Sequence, residues 1–165
     1  MTSNGTAIAG GVFAVLIAFF VYQWWFNPTR AVQRRLNEIA AALSVPEDEP
    51  SVARITRLAQ LRKFLADDVR IRAGDGELAS RDEIVGVVAV FTPPPGGWNV
   101  HFVDVQIKVD SSGEAAAVHM AVEVNARDPR TGQPTVDARE AVVTMMRQNA
   151  GWVVATAETK GTVPR

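Results

Sequence analysis

The hydrophobic pattern begins with a twenty-residue run, residues 7–26, that contains no charged side chain. A helix rises about 1.5 Å per residue, so this run would extend roughly 30 Å, the thickness of a bilayer's hydrocarbon core. Its ten Ile, Leu, Val and Phe residues would contribute about −3 to −6 kcal/mol to membrane insertion. The pattern predicts one transmembrane helix over residues 7–26, behind a short tail over residues 1–6.

The end of this run carries the residue types expected at a membrane interface. They are three aromatic and three basic residues: Tyr22, Trp24, Trp25, Arg30, Arg34 and Arg35. Because positive residues are retained on the cytoplasmic side, we expect a single-pass protein of the bacterial inner membrane whose soluble body faces the cytoplasm. The opposite orientation is the alternative. A cleaved signal peptide fits less well, because residues 1–6 contain no Lys or Arg and the run ends in bulky aromatics.

Apolar residues at helical spacing and capping signals predict three helices in the remaining chain. The first begins at Asn27-Pro28, a capping residue before a proline at the first helical position. Ser51 begins the second, and Ser80 forms a capping box with Glu83 at the start of the third. The apolar stripes of the first two helices are Val32, Leu36, Ile39 and Leu43, then Val52, Ile55, Leu58, Leu61 and Leu65. The basic residues of the second helix are expected on its solvated face: Arg54, Arg57, Arg62 and Lys63.

The second half of the chain alternates between apolar and polar residues as strands do. After a short strand over residues 67–73, four longer segments of strand type are joined by turn signals: 98–109, 114–126, 135–148 and 151–160. In the first of these, one apolar face is expected to hold His101, Val103, Val105, Ile107 and Val109. In the second, one face holds Val118, Met120, Val122 and Val124, and the other holds Ala117, His119, Ala121 and Glu123. Strands with one apolar face predict an antiparallel sheet covered on one side.

Helices followed by an antiparallel meander predict an α+β fold, with the helices on one face of a curved sheet. Three stretches are informative beyond this pattern: residues 61–73, the capped helix 80–88 and the closing pair of strands 138–159. In these stretches the chain resembles the nuclear transport factor 2-like superfamily, which includes the SnoaL-like polyketide cyclases and ketosteroid isomerase. The resemblance implies a cone-shaped domain of about three helices packed on the sheet, here residues 27–165.

Composition and motifs leave few candidate groups for chemistry. A formal net charge of −1 gives no basic field for nucleic acid, and without cysteine no disulfide holds the fold. The motifs indicate no catalytic triad, metal site or cofactor site. His101 is the one weak candidate for a general base in the cone's pocket, and a histidine held by the backbone is the alternative. His119 with Glu123 would make only half of a metal site.

These observations favour a non-catalytic role. We expect a single-span accessory or scaffold subunit of a larger membrane complex, of the respiratory, photosynthetic, secretion or translocation type. Its partners would be the lipid bilayer and other membrane subunits. The alternative is a membrane-tethered small-molecule-binding protein, or a SnoaL-like isomerase or cyclase, that uses the pocket of the cone. The resemblance also allows a homodimer through the exposed face of the sheet, at Ala117, His119 and Ala121.

Overall fold

A computed structural model describes residues 15–17, 27–149 and 151–162 of the chain. Most of the predicted span over residues 7–26, with its interface aromatics, lies outside these ranges. The three residues of the span that are described, 15–17, are helical and exposed. Within the described ranges, no helix combines the length and the hydropathy needed to cross a membrane.

Three helices form where the sequence predicts them. They are α1 (Pro28–Leu43), α2 (Ser51–Phe64) and α3 (Arg81–Val90). The Asn27 side chain accepts a hydrogen bond from the backbone N–H of Thr29 at 3.0 Å and so caps α1. Ser80 caps α3 by accepting from the N–H of Glu83 at 3.2 Å, and the Glu83 carboxylate accepts from the N–H of Ala79 at 3.0 Å.

Six strands form one sheet in the order β2-β1-β6-β5-β4-β3. Their bounds are β1 (Leu65–Ala73), β2 (Gly76–Leu78), β3 (Trp98–Val109), β4 (Ala115–Arg127), β5 (Pro134–Gln148) and β6 (Gly151–Thr162). Strands β3 to β6 make the expected antiparallel meander, and the short hairpin β1–β2 joins it through a parallel pairing of β1 with β6. The α+β fold with a curved antiparallel sheet is confirmed.

The core lies between the helices and one face of the sheet. In α1, Val32, Leu36 and Ile39 are all buried, as their spacing predicts. The sheet contributes alternate residues of β4 and β5 to this core, and Val118 and Met145 are fully buried there. The opposite face of the sheet is exposed, and His119 lies on it.

The predicted alternation along β3 is wrong at one point. Asp104 has φ +52°, and the register between β3 and β4 shifts between Val103 and Gln106. This extra residue is a β-bulge, and it moves the following side chains to the other face. Phe102 before the bulge and Val105 after it both pack against the core. His101 therefore does not share a face with Val105, Ile107 and Val109.

The predicted orientation of α2 is also wrong over its first half. Val52 and Ile55 are 73% and 68% exposed, and the helix reaches the core through Leu61 and Phe64. The inner side of its first turns is occupied instead by Arg54 and Arg57, side chains expected in solvent. The reason is an ion pair that Arg57 makes with the loop between α1 and α2, described below.

Candidate functional site

An apolar cavity of about 310 Å³ lies between the helices and the sheet. Its described walls come from the helices α1–α3 and from all six strands β1–β6. The helical residues are Leu36, Ile39, Leu43, Leu61, Ile84, Val87 and Val88; the sheet contributes Phe102, Met120, Val122, Ala141, Val143, Val154, Ala157 and Thr159. Leu65, Ile71 and Leu78 complete the described lining, in which Thr159 carries the one polar side chain. This volume lies near the lower end of roughly 300–1,000 Å³ that is usual for ligand pockets.

Short side chains on β5 and β6 leave this space open. Ala141 pairs with Thr159 across the two strands, and Val143 pairs with Ala157. Residues two apart on a strand share a face, so both pairs project into the cavity. The helices supply longer side chains from the other side. The cavity therefore results from small residues at particular sheet positions beneath a helical layer.

A second depression, of about 380 Å³, adjoins this cavity; we call it the Arg54 groove. Leu43, Val87 and Val88 line both spaces. The other groove residues are Val45, Pro46, Glu47, Glu49, Arg54, Arg57, Phe91, Pro93 and Trp98. Unlike the cavity, the groove thus combines charged and aromatic side chains.

The groove contains a nearly buried ion pair between α2 and the preceding loop. Arg57 contacts Glu49 with Nε–Oε1 at 2.6 Å and Nη2–Oε2 at 3.0 Å, and their side chains are only 12% and 10% exposed. Arg57 Nη1 also donates to the carbonyl of Ala42 at 3.4 Å. The hydrogen bonds from Arg57 lower the pKa of Glu49 against the opposing effect of desolvation, and the charge of Arg54 adds to the lowering.

Arg54 has a different set of partners. Its Nη2 donates to the carbonyl of Ala89 and, at 3.5 Å, to that of Phe91, at the C-terminal end of α3. Among the described residues, no carboxylate forms an ion pair with Arg54. Its guanidinium is therefore bound by two neutral acceptors beside the groove.

Aromatic residues form the wall of the groove opposite α2. The rings of Phe91 and Trp98 are 5.2 Å apart between centroids and inclined by 60°. Trp98 Nε1 donates to the carbonyl of Leu43 at 2.6 Å. Val45 and Trp98 also exchange two backbone hydrogen bonds of 2.9 Å, which attach the loop after α1 to the start of β3. These contacts fix the indole ring in place.

The structure does not place the predicted candidate His101 in the cavity. His101 is exposed, pairs in register with Glu123, and does not line the described parts of either space. A role for it as a base stays a prediction. On the outer face of the sheet a depression of about 340 Å³ includes Asp104 and His119, but no metal-binding cluster is found among the described residues.

The predicted interface arginines lie on α1. Arg35 pairs with Glu38 at 2.9 Å, and its guanidinium lies 5.1 Å from the centre of the Phe64 ring. Contact of Arg30, Arg34 and Arg35 with lipid remains a prediction.

Sequence reasoning missed the Arg54 groove. The available signal was the spacing of Arg54 and Arg57, which lie three residues apart and therefore on one side of a helix, close after the acidic loop residues 47–49.

No protein-family model matches this sequence, and no curated protein does so either. Solved structures do resemble the chain. A putative scytalone dehydratase from Novosphingobium aromaticivorans has a TM-score of 0.63 at 16% identity, over 83% of this chain and 87% of that one. The CaMKII hub of S. rosetta has a TM-score of 0.61 at 11% identity, over 80% and 95%. A nuclear transport factor 2-like superfamily protein from Salmonella enterica serovar Typhimurium has a TM-score of 0.57 at 14% identity, over 82% and 89%.

Likeness at these identities establishes the fold alone. Each of these matches covers at least 80% of both chains. This chain has the nuclear transport factor 2-like fold, also described as cystatin-like.

Proposed function

We propose that this protein binds an apolar small molecule in the cavity between its helices and its sheet. The observation that carries the proposal is the lining itself, whose described residues are apolar apart from Thr159 and surround about 310 Å³. Burial of apolar ligand surface contributes roughly 25 cal/mol per Å² to the free energy of binding. The fold neighbours fit this role better than the accessory-subunit role expected from the sequence, which no observation on the described residues supports.

Binding is favoured over catalysis by the chemistry of the lining. The Novosphingobium neighbour is named as a putative dehydratase. A dehydratase moves protons and therefore needs an acid–base group beside the substrate. The described lining of the cavity contains no His, Asp, Glu, Lys, Arg or Tyr. His101 is outside the cavity, so the general base considered from the sequence is not available there.

The site is tested by NMR on the full chain in phospholipid nanodiscs, with methyl-labelled methionine. Met120 lines the cavity, whereas Met146 is 48% exposed and next to the buried Met145 on β5, so it faces the other side of the sheet. Titration with 1-decanol is expected to shift the Met120 methyl signal saturably and to leave Met146 unchanged.

Two leucine variants supply the matched comparison. Ala157 and Ala117 are both half-buried alanines of the sheet, but only Ala157 lines the cavity. Ala157→Leu fills part of the cavity and is expected to weaken decanol binding about tenfold, whereas Ala117→Leu leaves it unchanged. The absence of a saturable Met120 shift, or equal losses in the two variants, would reject the cavity as a ligand site.

The membrane tether remains part of the proposal. We propose that residues 7–26 hold the domain at the bacterial inner membrane, with the body in the cytoplasm, on the strength of the uncharged run and the arginines after it. Alkaline carbonate extraction of native membranes and protease digestion of oriented vesicles test the two statements separately. Release of the full-length chain by carbonate would contradict the tether, and digestion from the periplasmic side would reverse the orientation.

Self-association through the exposed sheet face is a second candidate property. Two neighbours are described as a CaMKII hub and as a putative calcium/calmodulin-dependent protein kinase II association domain. In this chain the outer face carries Ala121 and Val142, both half-buried, and Met146. Sedimentation of the detergent-solubilised chain and of Ala121→Arg tests the idea: a dimer that becomes a monomer in the variant is expected, and a monomeric wild-type chain would refute it.

A further inference from the structure

Two of the four charged side chains that line the Arg54 groove form no ion pair among the described residues. Arg57 and Glu49 neutralise each other through a two-point ion pair with side chains about nine-tenths buried. Glu47, the other carboxylate of the lining, is exposed and has no described cation within ion-pair distance. Arg54 is half-buried and hydrogen-bonded only to backbone carbonyls among the described residues. A cation whose hydrogen-bond partners are neutral therefore lines a groove that adjoins an apolar cavity.

The cavity and the groove share part of their walls. Leu43, Val87 and Val88 line both, so a ligand that occupies both spaces would pass these three side chains. Beyond them it would meet the rings of Phe91 and Trp98. One end of such a molecule would be surrounded by apolar side chains and the other by the Arg54 guanidinium.

We propose that the ligand is an amphiphile whose apolar chain occupies the cavity and whose anionic head, a carboxylate or a similar group, binds Arg54. This inference rests on the proposed binding function and specifies its ligand class. Arginine presents its N–H groups in a fixed planar fork that matches a carboxylate, and a hydrogen bond to a charged group is stronger than one between neutral groups. Nη2 of Arg54 binds the two carbonyls, and its remaining N–H groups have no described partner.

The test compares two probes with the same apolar chain. Decanoate and 1-decanol are titrated into the full chain in nanodiscs, and apparent dissociation constants are read from the Met120 methyl signal. Each variant is compared with wild type for the same probe, so partition of the probe into lipid cancels. Arg54→Gln is expected to weaken decanoate about tenfold and decanol less than twofold. Arg54→Lys, which keeps the charge, should recover part of the loss.

Lys63→Gln is the matched control, because Lys63 is an exposed cation of the same helix that does not line the groove. It should leave both probes unchanged. If Arg54→Gln weakened the binding of decanoate and decanol equally, Arg54 would only cap α3 and the inference would be overturned. The inference would also be overturned if Lys63→Gln weakened decanoate as much as Arg54→Gln does. Binding of neither probe to the wild-type chain would instead reject the proposed function, and the ligand class with it.

Discussion

The ion pair between Arg57 and Glu49 predicts a large stability loss from a small change. Glu49→Gln removes the charge and at least one of the two hydrogen bonds to Arg57, whose side chain is 12% exposed and also donates at 3.4 Å to the carbonyl of Ala42. Breaking a buried pair costs about 3–5 kcal/mol, and the partial exposure of this pair reduces our expectation to about 2–3 kcal/mol. For a domain of this size, that is a fall in melting temperature of about 6–9 °C.

The assay is thermal unfolding followed by circular dichroism, with an exposed pair as the comparison. Glu38→Gln breaks a pair with Arg35 in which the glutamate is 54% exposed, so it should cost about 0.5 kcal/mol or less. Replacing both groove partners, Glu49→Met with Arg57→Met, should restore much of the loss, because no charge is then left unpaired. The reasoning is refuted if Glu49→Gln melts within 1 °C of wild type or no lower than Glu38→Gln.

Three further predictions use the same unfolding assay. The pKa of Glu49 is lowered in the folded state, so the stability that its carboxylate contributes is complete above its unfolded pKa and is lost as pH falls below about 4.5. The difference in unfolding free energy between wild type and Glu49→Gln should therefore shrink at low pH. A constant difference down to pH 3 would contradict this. Gly97→Ala should cost about 3 kcal/mol or more, since its Cβ would lie 2.1 Å from the carbonyl oxygen of Val45. Gly113→Ala is the comparison: its φ is also positive, at +74°, but no atom lies within 4 Å of the new Cβ, so it should cost only about 1 kcal/mol. Equal costs would show that the close approach at Gly97 does not matter. Asp104→Gly should be neutral or stabilising by up to about 1 kcal/mol because φ is +52°, and a clear destabilisation would mean that the carboxylate, and not the backbone, determines the bulge.

The elements predictable from the sequence are those with strong local signals. Asn27-Pro28 and the stripe of α1 determine both where that helix begins and which side it buries. Ser80 with Glu83 does the same for the start of α3, although its valine-rich interior also suits a strand. The alternation of β4 predicted its buried face because no bulge interrupts its pairing with β5. The cone-shaped fold could be inferred from these elements together.

The misses come from interactions that join distant residues. The spacing of Val52 and Ile55 marks a stripe on α2 but cannot say that the ion pair of Arg57 with Glu49 turns that stripe outward. The bulge at Asp104 depends on a positive φ angle, which most residues avoid. An alternating pattern of apolar and polar residues does not predict where such an angle will occur. The cavity requires alanines of β5 and β6 to meet beneath the helices, and this is a property of the packed structure.

The two hydrogen bonds between Val45 and Trp98 have a kinetic consequence for the groove. They attach the α1–α2 loop to a long strand, and Gly97 allows the two backbones to meet there. That wall should exchange its amide hydrogens slowly and stay preorganised, so that a ligand loses little free energy in ordering it. Phe91, whose ring packs on Trp98, is 54% exposed on the same side of the groove. A ligand in the groove would therefore meet the Trp98 ring in the position that the ring already holds before binding.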